Sequence, residues 1–200
     1  MISTGKAFRV ALSGALCLAT SLPDIHGELG TADGQVCTIS YLATPIISGE
    51  YPAVVCRAMR SAKRSIKIVM FSISAGYSPK NPMSLIMDEC IGAAKRGVRV
   101  TVIADWCDHA DGNLYAVNTR TLDYLRENGV DTYFDSPKTK THDKLVLIDD
   151  ATLIMGSHNW SKAAMTKNAE ASIMITSAPP DPAFARYFEE IKSSCVPSRL

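Results

Sequence analysis

The sequence predicts an α/β fold, a mixed central sheet flanked by helices. Three observations carry that expectation. From Gln35 onward, runs rich in β-branched residues alternate with segments of helical period. One run, "SIKIVMFSI", has little polar interruption, as expected of a strand covered on both faces. The helical segments are punctuated at their ends, with Pro82 near one start and Gly97 and Gly129 just past two ends.

In order, "VCTISYLA" reads as a strand and "EYPAVVCRAMRSAK" as a helix, with Val54, Val55, Ala58, Met59 and Ala62 on its apolar stripe. "SIKIVMFSI" is the next strand, "NPMSLIMDECIGAAKRG" a helix and "VRVTVIAD" a strand. "NTRTLDYLRENG" reads as a helix and "VDTYFD" as a short strand. "KLVLID" and "TLIMGS" are two strands joined by a turn at Asp149 and Asp150, and "EASIMITS" is a further strand. "DPAFARYFEEIKSSC" closes the chain as a helix. No linker or repeat divides residues 36–200, so they read as one domain.

Residues 1–35 read separately, as an N-terminal extension or a signal peptide. Lys6 and Arg9 precede the apolar "VALSGALCLATSL", which resembles the start of a secretory signal, although no clean A-x-A site follows. Cleavage would imply a periplasmic or secreted protein, and retention a cytoplasmic one. The run is too short and interrupted to span a bilayer comfortably. The six cysteines form no C-x-x-C pair, which argues against a structural zinc site. Cys56 and Cys90 fall in apolar helix patterns, and a Cys37–Cys195 bridge is compatible with export.

With 46% hydrophobic and 20% charged residues the chain is globular rather than disordered. Its net charge of +1 gives no nucleic-acid footprint, so any polyanion site must come from local clustering. Arg57, Arg60, Lys63, Arg64 and Lys67 read as a solvated helix face. Lys138, Lys140 and Lys144 lead into the stretch that carries the chemistry.

That stretch is "KTHDKLVLIDDATLIMGSHNW". Alternation along a strand puts His142 and Lys144 on one face, with Val146 and Ile148 continuing it into the core. An imidazole beside a fixed positive charge suits attack on a phosphate ester. If the two strands form a hairpin, Ser157 and Asn159 return to the edge that holds His142, where a hydroxyl and an amide can donate to phosphoryl oxygens. Glu170 opens the next strand and offers a carboxylate to fix the His142 tautomer.

On these residues the sequence resembles the phospholipase D superfamily, in its single-motif bacterial endonuclease-like branch. His142-x-Lys144-x4-Asp149 matches the family's H-x-K-x4-D motif, "GSHNW" its G-S-x-N element, and "KNAE" the segment that supplies a carboxylate. The likeness runs from about Thr38 to Ile191. It implies a phospholipase D-like fold and a metal-independent phosphodiesterase without a cofactor. His142 would form a phosphohistidine, Lys144, Ser157 and Asn159 would hold phosphoryl oxygens, and Glu170 would orient His142. Asp149 falls on the opposite strand face from Lys144 and reads as structural support for strand and turn.

The expected activity is endonucleolytic, on DNA or RNA with little sequence preference. A phospholipid headgroup is the alternative substrate, and a non-catalytic nucleic-acid or partner-binding protein the second alternative. One motif supplies one histidine, where displacement at phosphorus needs a nucleophile and an acid. A homodimer with a shared cleft is therefore expected, with His109 and His158 as the other acids available. "ADWCDHADGN" has the wrong carboxylate spacing for a calcium loop and reads as a polar loop near the site.

Overall fold

The computed structural model describes residues 25–30, 36–74, 81–106, 112–178, 180 and 182–198. The expected mixed α/β architecture is present. Among the described residues the strands are β1 (Ile25–Gly30), β2 (Val36–Ile47), β3 (Ser65–Met70), β4 (Arg99–Ala104), β5 (Asp131–Phe134), β6 (Lys144–Ile148), β7 (Thr152–Gly156), β8 (Ala171–Ala178) and β9 (Val196–Pro197). The helices are α1 (Tyr51–Ser61), α2 (Pro82–Lys95), α3 (Gly112–Glu127), α4 (Lys162–Thr166) and α5 (Pro182–Ser193). They build one sheet in the order β1-β2-β8-β7-β6-β3-β4-β5-β9. β3, β4 and β5 run parallel, and β6 turns the sheet antiparallel by pairing with β3, Met70 opposite Lys144 and Ile66 opposite Ile148.

Both faces of the centre are covered. Ile66, Ile68, Met70, Val146 and Ile148 meet Val55, Met59, Ile86 and Cys90 of α1 and α2. Val69, Leu145, Leu147 and Leu153 meet Phe188 of α5 on the other face. This is why β6 is buried at every position and reads as a continuous apolar run. At α2, the Asn81 side chain accepts from Met83 N at 3.1 Å. Gly97 follows the helix at φ +85°, a conformation that favours glycine.

Several boundaries differ from the sequence reading. β1 lies in the segment read as an extension, yet pairs antiparallel with β2. Residues 1–24, which carry the signal-like run, are outside the described residues. α3 begins at Gly112, earlier than its periodic stretch. α4 and β9 are one turn and two residues long, too short for periodicity to reveal. Cys195 is a free thiol. β2, which carries Cys37, and β9, which Cys195 precedes, are seven strand positions apart, roughly 30 Å, too far for the Cys37–Cys195 bridge.

Asp149 departs from its expected placement as well. β6 ends at Ile148, and Asp149 and Asp150 follow with φ of +52° and +59°. Strand alternation therefore does not reach Asp149. Its carboxylate accepts from Lys63 N at 2.8 Å, Arg64 N at 2.7 Å and Ser65 N at 2.9 Å, the residues that lead into β3. These donors hold its pKa below the ordinary carboxylate value, against the burial that raises it. Asp149→Ala removes the acceptor and puts an alanine where left-handed backbone is costly. We expect a loss of about 2–4 kcal/mol in urea unfolding at pH 7, with Asp149→Asn losing about half. A loss below about 1 kcal/mol for Asp149→Ala would show that the turn does not depend on these bonds.

Candidate active site

The hairpin anticipated for the motif forms: β6 pairs antiparallel with β7, Leu145 opposite Met155 and Ile148 opposite Thr152. β8 pairs next to β7, Gly156 opposite Ser172. The carboxyl end of β3, the amino end of β6, the carboxyl end of β7 and the amino end of β8 thus lie at one edge of the sheet. Gly156 permits this crowding, since a Cβ there would run into Ala171 O and Ser172 Cα.

His142 is exposed just ahead of β6, and Lys144, its first residue, is buried at 8% exposure. The Lys144 ammonium donates to His142 O at 2.8 Å. Desolvation lowers the Lys144 pKa, opposed by the charges of Asp143, Glu170 and Asp105. Among the described residues, no hydrogen bond reaches the His142 ring. The ring lies instead against Phe71, centroids 4.6 Å apart and tilted by 55°.

Glu170 is held differently from the expectation that it orients His142. Its Oε2 accepts from the Ser157 hydroxyl in a short hydrogen bond, and its Oε1 accepts from Asn168 Nδ2 at 3.0 Å. Burial raises the Glu170 pKa, but these bonds and the charges of His158 and Lys144 outweigh it, so the net shift is downward. Ser157 Oγ also accepts from Ala171 N at 3.1 Å, so the hydroxyl expected to meet phosphate bridges β7 to β8 here. Asn159 is partly buried, and its Oδ1 has no hydrogen-bond partner among the described residues.

Of the two other histidines offered as acids, His158 is fully buried. Its Nε2 donates to Ser48 O at 2.9 Å, its Nδ1 is 2.8 Å from Ser172 Oγ, and its ring stacks on Tyr51 at 4.4 Å. It braces the loop rather than facing substrate. His109 lies outside the described residues, as do Cys107, Asp108 and Asp111 of the polar loop.

Asp105, which opens the polar loop expected near the site, ties down the approach to His142, and Asp135, which no motif singled out, ties down the backbone after β4. Asp105 Oδ2 accepts from Thr141 N at 2.7 Å, and Asp135 Oδ1 accepts from Trp106 N at 2.6 Å. Asn118, on α3, accepts from Ile73 N at 2.9 Å and donates to Phe71 O and Asp105 O at 3.1 Å each. These residues are far apart in sequence and meet only because β3, β4 and β5 end side by side.

A buried cation thus lies beside an exposed imidazole, at a sheet edge that also holds a hydroxyl, a carboxylate and an amide. The chain belongs to the phospholipase D-like family: residues 55–192 match the family described as "Cardiolipin synthase, PLD-like domain". The human mitochondrial cardiolipin hydrolase is 31% identical over 134 residues, 67% of this chain and 46% of that protein. Nuc from Salmonella typhimurium, a phospholipase D family member, superposes with a TM-score of 0.63 at 27% identity, over 78% of this chain and 98% of Nuc. NucT from Helicobacter pylori shares the fold, with a TM-score of 0.60 at 20% identity over 78% of this chain and 99% of NucT. The likeness to Nuc supports the bacterial nuclease-like branch of the superfamily. The chain spans about half the length of the curated relatives it matches. Among the described residues, no helix is long and apolar enough to cross a membrane.

Burial pushes the Asp135 carboxyl up to about 6, with Asp105 adding to the rise and hydrogen bonds from Thr141 and Trp106 opposing it. A carboxyl raised on folding contributes stability that is complete below its ordinary 3.8 and lost as pH climbs through about 6. Asp135→Asn carries no charge and keeps an acceptor for Trp106 N. Between pH 4 and 8 its melting temperature should therefore gain on wild type, by about 4 °C. A difference independent of pH would show that the carboxyl is not held protonated by the fold.

Proposed function

We propose that this chain is a low-specificity endonuclease that cleaves DNA or RNA phosphodiesters through a covalent phosphohistidine, without a metal. One observation carries the reading: the exposed His142 imidazole next to the buried Lys144, at the edge shared with Ser157, Asn159 and Glu170. In this mechanism His142 Nε2 attacks phosphorus, the bond to the leaving oxygen breaks, and that oxygen takes a proton from an acid. Water then hydrolyses the phosphohistidine and restores the imidazole. Lys144 offsets the charge that develops on the phosphoryl oxygens. The buried Asn159 Oδ1 lacks a donor among the described residues, and the Nδ2 end of the same amide is the group that donates to a phosphoryl oxygen in this reading. Asp149 acts at the far end of β6 and touches no substrate. The exposed Lys138 and Lys140 attract a polyanion.

A phospholipid headgroup is the second reading. The similarity to the mitochondrial cardiolipin hydrolases favours it, and so do Ile47 (53% exposed) and Met155 (38% exposed) at the site end of the sheet. Incubation of the full chain with plasmid DNA, single-stranded RNA and phosphatidylcholine or cardiolipin vesicles in excess EDTA separates the readings. The expected outcome is nucleic-acid cleavage with intact lipid. Headgroup release without nucleic-acid cleavage would establish the lipid reading, and binding without turnover the non-catalytic one. Activity abolished by EDTA and restored by magnesium or zinc would overturn the metal-independent step.

The acid for the leaving oxygen is, in this proposal, His142 of a second copy of the chain in a two-fold dimer with one shared cleft. With His158 sealed in the core, the second copy is the simplest source. His142→Asn protein should be inactive. Mixed with wild type, it should lower activity roughly as the square of the wild-type fraction. A strictly proportional fall, or turnover by a monomer, would refute the shared cleft.

A further inference from the structure

Phe71 belongs to none of the motifs, yet three site groups converge on its ring. The His142 imidazole lies 4.6 Å away, centroid to centroid. The Lys144 ammonium is 4.9 Å and the Lys140 ammonium 5.1 Å from its centroid. The backbone beneath the ring is pinned on both sides, since Phe71 N donates to Asp143 O at 2.8 Å and Phe71 O accepts from the buried Asn118. The ring is therefore placed by the sheet rather than by the groups it touches.

We propose that Phe71 is the positioning residue of this site: its ring holds the His142 imidazole in one orientation and gathers Lys140 beside Lys144. The inference rests on the reading of His142 as the nucleophile. An exposed imidazole with no hydrogen bond to a described residue turns about χ1 and χ2 unless a neighbouring surface restrains it. A tilted aromatic pair at this distance is a favourable geometry for that restraint. The same ring attracts ammonium groups within about 6 Å. Lys140, exposed and on a loop, is thereby held at the site instead of sweeping through solvent. A phosphoryl group entering the site then meets two ammonium groups and a fixed imidazole. A nucleophile misaimed by a fraction of its reach loses rate even when substrate still binds.

The test compares the full-length wild type with Phe71→Leu, Phe71→Met and Phe71→Tyr. Leu and Met keep an apolar side chain and remove the ring face, and Tyr restores it. Thermal melts select whichever of Leu and Met retains the wild-type transition. In NMR spectra of the His142 ring protons, the wild type and Phe71→Tyr should show an upfield ring-current displacement and nuclear Overhauser contacts from a single rotamer. The ring-less variant should lose both. Its kcat on the nucleic-acid substrate should fall on the order of 10-fold with KM little changed, and Phe71→Tyr should retain most of the rate. A His142 ring equally ordered with and without Phe71 would overturn the proposal, and the NMR arm decides this even if no tested phosphodiester is cleaved. Loss of the ring-current displacement with unchanged kcat on a cleaved substrate would also overturn it. An inactive wild type with an ordered ring would instead count against the nuclease reading alone.

Discussion

The antiparallel pairing of β6 with β3 is the constraint on which the rest depends. It joins the parallel half of the sheet to the antiparallel half and is buried on both faces. Its register is pinned at both ends by hydrogen bonds outside the ladder. At one end Asp149 accepts three backbone N–H groups ahead of β3, and at the other Phe71 N donates to Asp143 O. A slip of one residue would turn Lys144 away from the site and bring Leu145 into it. The motif aspartate and the motif lysine thus serve one strand from opposite ends.

The second layer of the design is a set of buried polar groups at the carboxyl ends of β3, β4 and β5. Asp105 holds the backbone of the crossing into β6 at Thr141, Asp135 holds the backbone after β4 at Trp106, and Asn118 joins Phe71, Ile73 and Asp105. Buried polar groups of this kind are favourable only when partnered. Asp135 is the exception, with one oxygen lacking a partner among the described residues and an elevated pKa.

Glu170 shows how far an arrangement differs from the role a motif implies. A carboxylate at the start of β8 was expected at the imidazole and is found between Ser157 and Asn168. The reason is register: Gly156 pairs with Ser172, so Ser157 and Glu170 meet across β7 and β8, while His142 lies one strand further on. His158 is a similar case. Its neighbours in "GSHNW" suggest chemistry, but both its nitrogens are engaged in the core.

Local sequence determined the class of fold, the order of most elements, the β6–β7 hairpin and the gathering of His142, Lys144, Ser157, Asn159 and Glu170 at one edge. Periodicity and turn residues encode these, because they act over a few residues. Tertiary structure alone decided what those groups touch. Phe71 is a strand-end aromatic like many others until β3 is paired with β6. Asp105, Asn118 and Asp135 look like ordinary polar residues until three strand ends lie side by side. The edge strand β1 and the free thiol at Cys195 depend on sheet order, which no local pattern records. Strand neighbours are chosen by burial summed over the whole chain, so contacts between residues tens of positions apart follow from the completed sheet and from nothing shorter.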